Sequence, residues 1–252
     1  MPTLTGVIDR RILINYRILP EYVTPLLPDF LEPLIINGYA SGGICLLRLK
    51  DVRPRRLSGL PGITSENAAH RFLVRFREGE KRRGVYIPRR ETNSALNVFV
   101  ATNLFSWPHY AADFHVNEHD QFEVDICSDD GSSNLHVKAT RCDPFPADSM
   151  FTSLEDASGW FQCCNYGISP SADGKKFIST ELKTRTWSVS PLMVDILESA
   201  YFENESLFPT ATVQFDNALL MENIEHEWVN GEVRPYSLRN VSAGLTSADL
   251  RA

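Results

Sequence analysis

The chain has 252 residues, 43% of them hydrophobic and 23% charged, which is enough apolar content for a sizeable core without disulfides or metal. Lys and Arg number 25 against 32 Asp and Glu, a formal charge of −7, and that balance excludes a nucleic-acid binder held by phosphate neutralisation. No apolar run is long enough for a membrane helix and residues 1–11 carry no signal core, so a cytoplasmic protein with no membrane partner is expected.

The first strand is read from Ile12, Ile14, Tyr16 and Ile18, which alternate with Arg11, Leu13, Asn15 and Arg17 in the period of a half-buried strand. Pro20 opens a short helix that ends before Pro28. Residues 33–50 read as a bent strand pair, and 51–65 as a loop rich in Pro and Arg. From Ala69 to Arg77 the alternation returns, with Phe72, Val74 and Phe76 opposed to Arg71, Leu73, Arg75 and Arg77. A charged turn around Glu78–Arg83 leads to a strand at Val85–Ile87.

Thr92, Asn93 and Ser94 offer N-caps for a helix that reaches Leu104, is stopped by Pro108 and is expected to pack on the sheet. Strands follow at about 109–117, 121–127 and 134–141, joined by polar turns. Ser153 with Asp156 approximates a capping box for a helix through Trp160, Phe161 and Cys164. Strands near 177–189 and 211–228, with a short helical piece between them, close the chain. The pattern predicts an α+β, β-dominated fold: a curved antiparallel sheet or β-barrel with a few packed helices. Residues 1–240 read as one domain and 241–252 as a polar tail.

Charge is concentrated between Arg48 and Arg90, where thirteen basic residues face four acidic ones. These are solvated loop and strand faces, or some are arginines aimed at an anionic ligand; the sequence leaves both open. Five cysteines without CxxC spacing indicate reduced thiols, with Cys163 and Cys164 pointing apart on their helix. No phosphate loop, nucleophile elbow or zinc motif is present, so no cofactor is expected. His109, His115 and His119 straddle a strand and a turn rather than sharing a ligand face, so no metal is expected either.

Asp9–Arg17, the Pro-Glu helix ending in Leu27-Pro28, Ser65-Glu66-Asn67, Gly84-Val85-Tyr86, Leu104-Phe105 before Pro108-His109-Tyr110, and Glu225-His226-Glu227-Trp228 together resemble the YqjF-like family of uncharacterised proteins within the acetoacetate decarboxylase-like superfamily. The similarity runs over about residues 7–230 and rests on order and spacing. It implies the superfamily's cavity-bearing barrel. Its decarboxylases carry an aromatic-Pro-Lys-Lys signature whose first lysine forms a Schiff base and whose second lowers that lysine's pKa. Here the matching stretch is Trp107-Pro108-His109-Tyr110, so both lysines are replaced, and Schiff-base decarboxylation is not implied.

The residues at those positions support a different chemistry. His109 can move a proton near neutrality, Tyr110 can hydrogen-bond a developing enolate oxygen, and adjacency on a strand lets one of them, His109 by preference, face the cavity. Glu66 matches a pocket carboxylate of the superfamily and is a candidate base. Arg71 has the fork to hold a carboxylate, with Trp107 and Arg89 as further substrate-binding candidates. The expected partner is a small anionic or carbonyl-containing molecule, bound with lyase- or isomerase-type proton transfer. A non-catalytic binder on the same scaffold, a decarboxylase with Lys138 as relocated amine, and an interaction module remain as alternatives. A homo-oligomer is compatible with the sequence.

Overall fold

The computed structural model describes residues 3–57, 59–77, 82–104 and 107–235, with backbone alone at 100–104 and 235. Most of the expected charged turn at 78–83, Phe105 and the tail at 241–252 lie outside these residues. In chain order come β1 (Leu4–Ile18), α1 (Pro20–Val23), β2 (Leu31–Pro33), β3 (Ile35–Ile36), β4 (Tyr39–Pro54), β5 (Ile63–Phe76), β6 (Arg83–Thr92) and α2 (Ala95–Leu104). They are followed by β7 (Tyr110–Glu118), β8 (Phe122–Ser128), β9 (Leu135–Arg141), α3 (Leu154–Cys163), β10 (Tyr166–Pro170), β11 (Lys176–Thr184), β12 (Ser190–Ser199) and β13 (Val213–Pro235).

The sheet branches at its long strands. β13 pairs near its start with β12 and near its end with β11, while β6 pairs at its start with β10 and at its end with β7. Two closed circuits follow, both using the wall β13-β1-β4-β5-β6. The larger continues through β7, β8, β9 and β12; the smaller through β10 and β11. Most pairings are antiparallel, but β6 runs parallel to both β7 and β10, so the sheet is mixed, with α2 in the crossover from β6 to β7.

A shared wall must be apolar on both sides, and β1 shows it: Ile12, Ile14 and Ile18 enter one core and Leu13 the other. The strand that alternation presents as half-buried is therefore buried on both faces. β5 divides the same way, with Phe72 and Val74 toward the larger circuit and Ala69 and Leu73 toward the smaller. α3 closes the smaller side. Ser153 Oγ accepts from Asp156 N at 3.1 Å, while the Asp156 carboxylate accepts from Thr152 N at 3.0 Å, a variant of the expected box reaching one residue further back.

Two expectations are corrected. The loop at 51–65 is shortened from both ends by strand: β4 continues to Pro54 through a bulge where Asp51 adopts φ 57°, and β5 starts at Ile63. The helical piece before residue 211 is instead the strand β12, and β10 adds a strand not anticipated. α2 forms with Ser94 Oγ accepting from Asn97 N; Leu96 and Phe99 in its first half are 53% and 63% exposed, and the side chains of 100–104 lie outside the described residues.

Candidate functional site

The smaller circuit encloses a cavity of about 560 Å³. Its walls are largely apolar: Leu47, Leu49, Val85 and Ile87 from the strands, Phe161 from α3, and the rings of Trp107, Trp187 and Trp228. Four arginines interrupt them, Arg11, Arg53, Arg71 and Arg90. Arg53 pairs with Asp51, whereas among the described residues none of the other three has a carboxylate ion-pair partner.

Arg71 is 2% exposed. Its reach is set by Gly43, which sits in register between Arg71 on β5 and Asn15 on β1. A Cβ at Gly43 would stand 2.2 Å from Ile14 O and 3.4 Å from Arg71 Nη2, so glycine lets the strands meet and the guanidinium cross β4. Arg71 Nη2 donates to Asn15 Oδ1, and Asn15 Nδ2 donates to Asn217 Oδ1 at 2.7 Å. The guanidinium lies 4.8 Å from the Phe161 ring centre. Its Nε and Nη1 find no acceptor, an arrangement costly unless something else supplies one. Burial, followed by the neighbouring Arg11, draws the Arg71 pKa down to about 10, so it stays a cation at neutral pH. Arg11 Nε donates to Cys45 Sγ at 3.2 Å beneath Trp187, which leaves its charge unneutralised.

At another wall lies His109, immediately before β7. Burial, and after it the charge of Arg90, lowers its pKa to about 4. The ring is therefore neutral at physiological pH and suited to accept a proton. Arg90 Nη1 donates to Ser169 Oγ, and burial brings its pKa to about 10. An NMR titration of the imidazole should find His109 changing charge near pH 4 in wild type and at higher pH in Arg90→Gln; a wild-type midpoint near 6.5 would contradict this environment.

His109, Arg71 and Trp107 thus line one cavity, whereas Glu66, Tyr110 and Arg89 do not. Glu66 lies on the opposite face of β5, where its carboxylate meets Arg10 Nη2 at 2.6 Å and Arg48 Nε at 2.5 Å, and both arginines also hold Glu118. Five positions separate Glu66 from Arg71, and an odd spacing on one strand puts two side chains on opposite faces. Tyr110 starts β7 with its ring exposed under the Arg89 guanidinium, 4.5 Å away. Arg89 is fully engaged with Asp130 at 2.8 and 2.9 Å, Glu91 at 2.5 Å and Ser133 at 3.1 Å.

Lys138 is also outside the cavity, 2.8 Å from Glu123 on the β8–β9 ladder. His115 and His119 are exposed and apart from His109. Among the described residues the donor group tight enough for a metal ion is Glu123, Asp125 and His136, where Lys138 and the His136 ring already meet the two carboxylates. Cys163 is exposed while Cys164 is buried and lines the cavity. Sequence reasoning misses Arg11, Asn15 and Gly43, and it places Arg90 with Arg89 and Glu91 at the pocket mouth or in a surface cluster, carrying Arg89 forward as the candidate. The alternation of Arg11 with Asn15 on β1 is the available signal for the first two.

The model of a family described as an uncharacterized conserved protein, DUF2071 (COG2071), matches residues 7–220. A search of curated proteins returned no match. Among solved structures, the acetoacetate decarboxylase of Legionella pneumophila aligns with TM-score 0.60 and 12% identity over 94% of this chain and 88% of its own. An acetoacetate decarboxylase-like enzyme from Sphingomonas wittichii RW1 gives TM-score 0.57 and 10% identity over 94% and 93%. The enduracididine biosynthesis enzyme MppR, in a structure with pyruvate, gives 0.55 and 12% over 94% and 91%. At these identities the likeness is one of fold.

Proposed function

The chain belongs to the DUF2071 family, and we propose that its cavity receives a small organic acid or carbonyl compound whose anionic group is held by Arg71. The observation that carries this reading is the buried Arg71 guanidinium on a cavity wall, with no carboxylate partner among the described residues and Arg11 beside it. An ionised carboxylate beside the guanidinium supplies the missing negative charge and offsets two desolvated cations. The fold neighbour MppR, in a structure with pyruvate, makes a small keto acid a reasonable class to try.

For catalysis, neutral His109 is the proposed base, taking a proton from the carbon next to a carbonyl, and Arg90 is the proposed partner of the oxygen that becomes negative. No Schiff base is part of the proposal. Lys183 is the lysine among the described lining residues, and it is 55% exposed and 3.5 Å from Glu181, unlike an amine activated by burial. A non-catalytic binder is the second reading. It is favoured by the position of Glu66 and Tyr110 outside the cavity, which leaves His109 without the expected companions.

Calorimetry with matched carboxylate and amide ligands, benzoate against benzamide, tests the binding claim: benzoate should bind at least tenfold tighter, and equal affinities would overturn it. Pyruvate with borohydride should leave the protein mass unchanged, while an adduct would restore amine chemistry. Turnover of a bound acid that disappears in His109→Ala separates enzyme from binder.

A further inference from the structure

Resting on the reading above, we propose that the ligand is a monocarboxylate with a bulky apolar body, seated carboxylate-inward, and not a short keto acid. The cavity volume of about 560 Å³ falls in the range of roughly 300–1,000 Å³ that houses drug-sized ligands. A four-carbon acid at Arg71 would leave most of that space, and three tryptophan rings, unfilled. The charges are arranged by depth. Arg71 is almost fully buried, whereas the other end of the lining carries Arg53 and Lys183, 25% and 55% exposed. An occupant with its carboxylate on Arg71 therefore runs outward along apolar wall.

One carboxylate, not two, follows from how the remaining cations are used. Arg90, bonded to Ser169 and 6.0 Å from the Trp107 ring centre, is the proposed partner of the oxygen that becomes negative, and Arg53 pairs with Asp51. Arg71 and Arg11, adjacent and lacking a carboxylate partner among the described residues, form one anionic subsite. Trp187 joins that subsite to the apolar wall, because Arg11 lies 5.9 Å from its ring centre while the indole nitrogen is held by Ser158 Oγ at 2.9 Å.

The experiment is calorimetric titration of wild type and Arg71→Met with butanoate, hexanoate, octanoate and decanoate, together with octanol and the dicarboxylate suberate. Affinity of wild type should rise about fourfold per methylene until the cavity is filled. Octanoate should exceed both octanol and suberate, and Arg71→Met should bind octanoate no better than octanol. If butanoate binds as tightly as decanoate, the bulky-body proposal is overturned while anion binding stands. If octanol equals octanoate in wild type, the anion reading itself fails. Suberate binding tighter than octanoate overturns the single-carboxylate assignment.

Discussion

Arg71→Met should lower affinity for a carboxylate ligand roughly ten- to a hundredfold, on the order of 1.5–3 kcal/mol for a charge-assisted contact, without lowering thermal stability. Both halves come from the same geometry. The guanidinium is buried, with two nitrogens lacking an acceptor and Arg11 nearby. Exchanging it for an unbranched apolar chain of similar length removes a desolvation cost, set against the single bond to Asn15. Replacing buried charge by well-packed apolar groups is commonly neutral or stabilising. Melting temperature and affinity measured on the same preparation decide the matter. A melting temperature many degrees lower, with affinity retained, would make Arg71 a structural residue.

Glu66→Ala should do the reverse. It removes the carboxylate that joins Arg10, 3% exposed, to Arg48, and leaves Glu118 to serve both cations. Breaking a buried pair costs about 3–5 kcal/mol; with Arg48 and Glu118 about a quarter exposed, solvent screening brings the expectation to about 2–3 kcal/mol. For a chain of this size that is a fall in melting temperature of about 5–10 °C. Carboxylate affinity should change less than twofold, since Glu66 and the cavity lie on opposite faces of β5. Lost affinity at unchanged stability would return Glu66 to the site.

Local rules were legible in the sequence where the physics is local. β7, β8 and β9 follow from period-two alternation and the polar turns between them, and α3 from Ser153 and Asp156. β12 carries a helical signal in Leu192, Met193, Leu197 and Glu198, which favour helices, and a bulge between Val194 and Ile196 breaks its alternation. β10 is five residues long and buried along most of its length, so it has no polar face to reveal its period.

The site was partly legible for the same reason. Adjacency let one of His109 and Tyr110 face the cavity, the preference for His109 came from its place in the resembled family's signature, and the odd spacing between Glu66 and Arg71 was available as a warning. The choice between Arg89 and Arg90 was not legible: β6 carries an extra residue between Tyr86 and Arg89 opposite β5, and that shift of parity brings Arg90 to the same cavity as Ile87. Gly43 gains its meaning from the register of three strands distant in sequence, which no single window contains.

The direct test of an anion held by Arg71 is a crystal structure of the protein grown with 4-bromobenzoate, using bromine anomalous scattering to place the ligand. The expected result is a bromine peak inside the cavity of the smaller circuit, with the carboxylate within hydrogen-bond distance of the Arg71 guanidinium and the ring against the apolar wall. A ligand found with its carboxylate turned away from both Arg71 and Arg11, or a bromine peak outside the cavity alone, would contradict it.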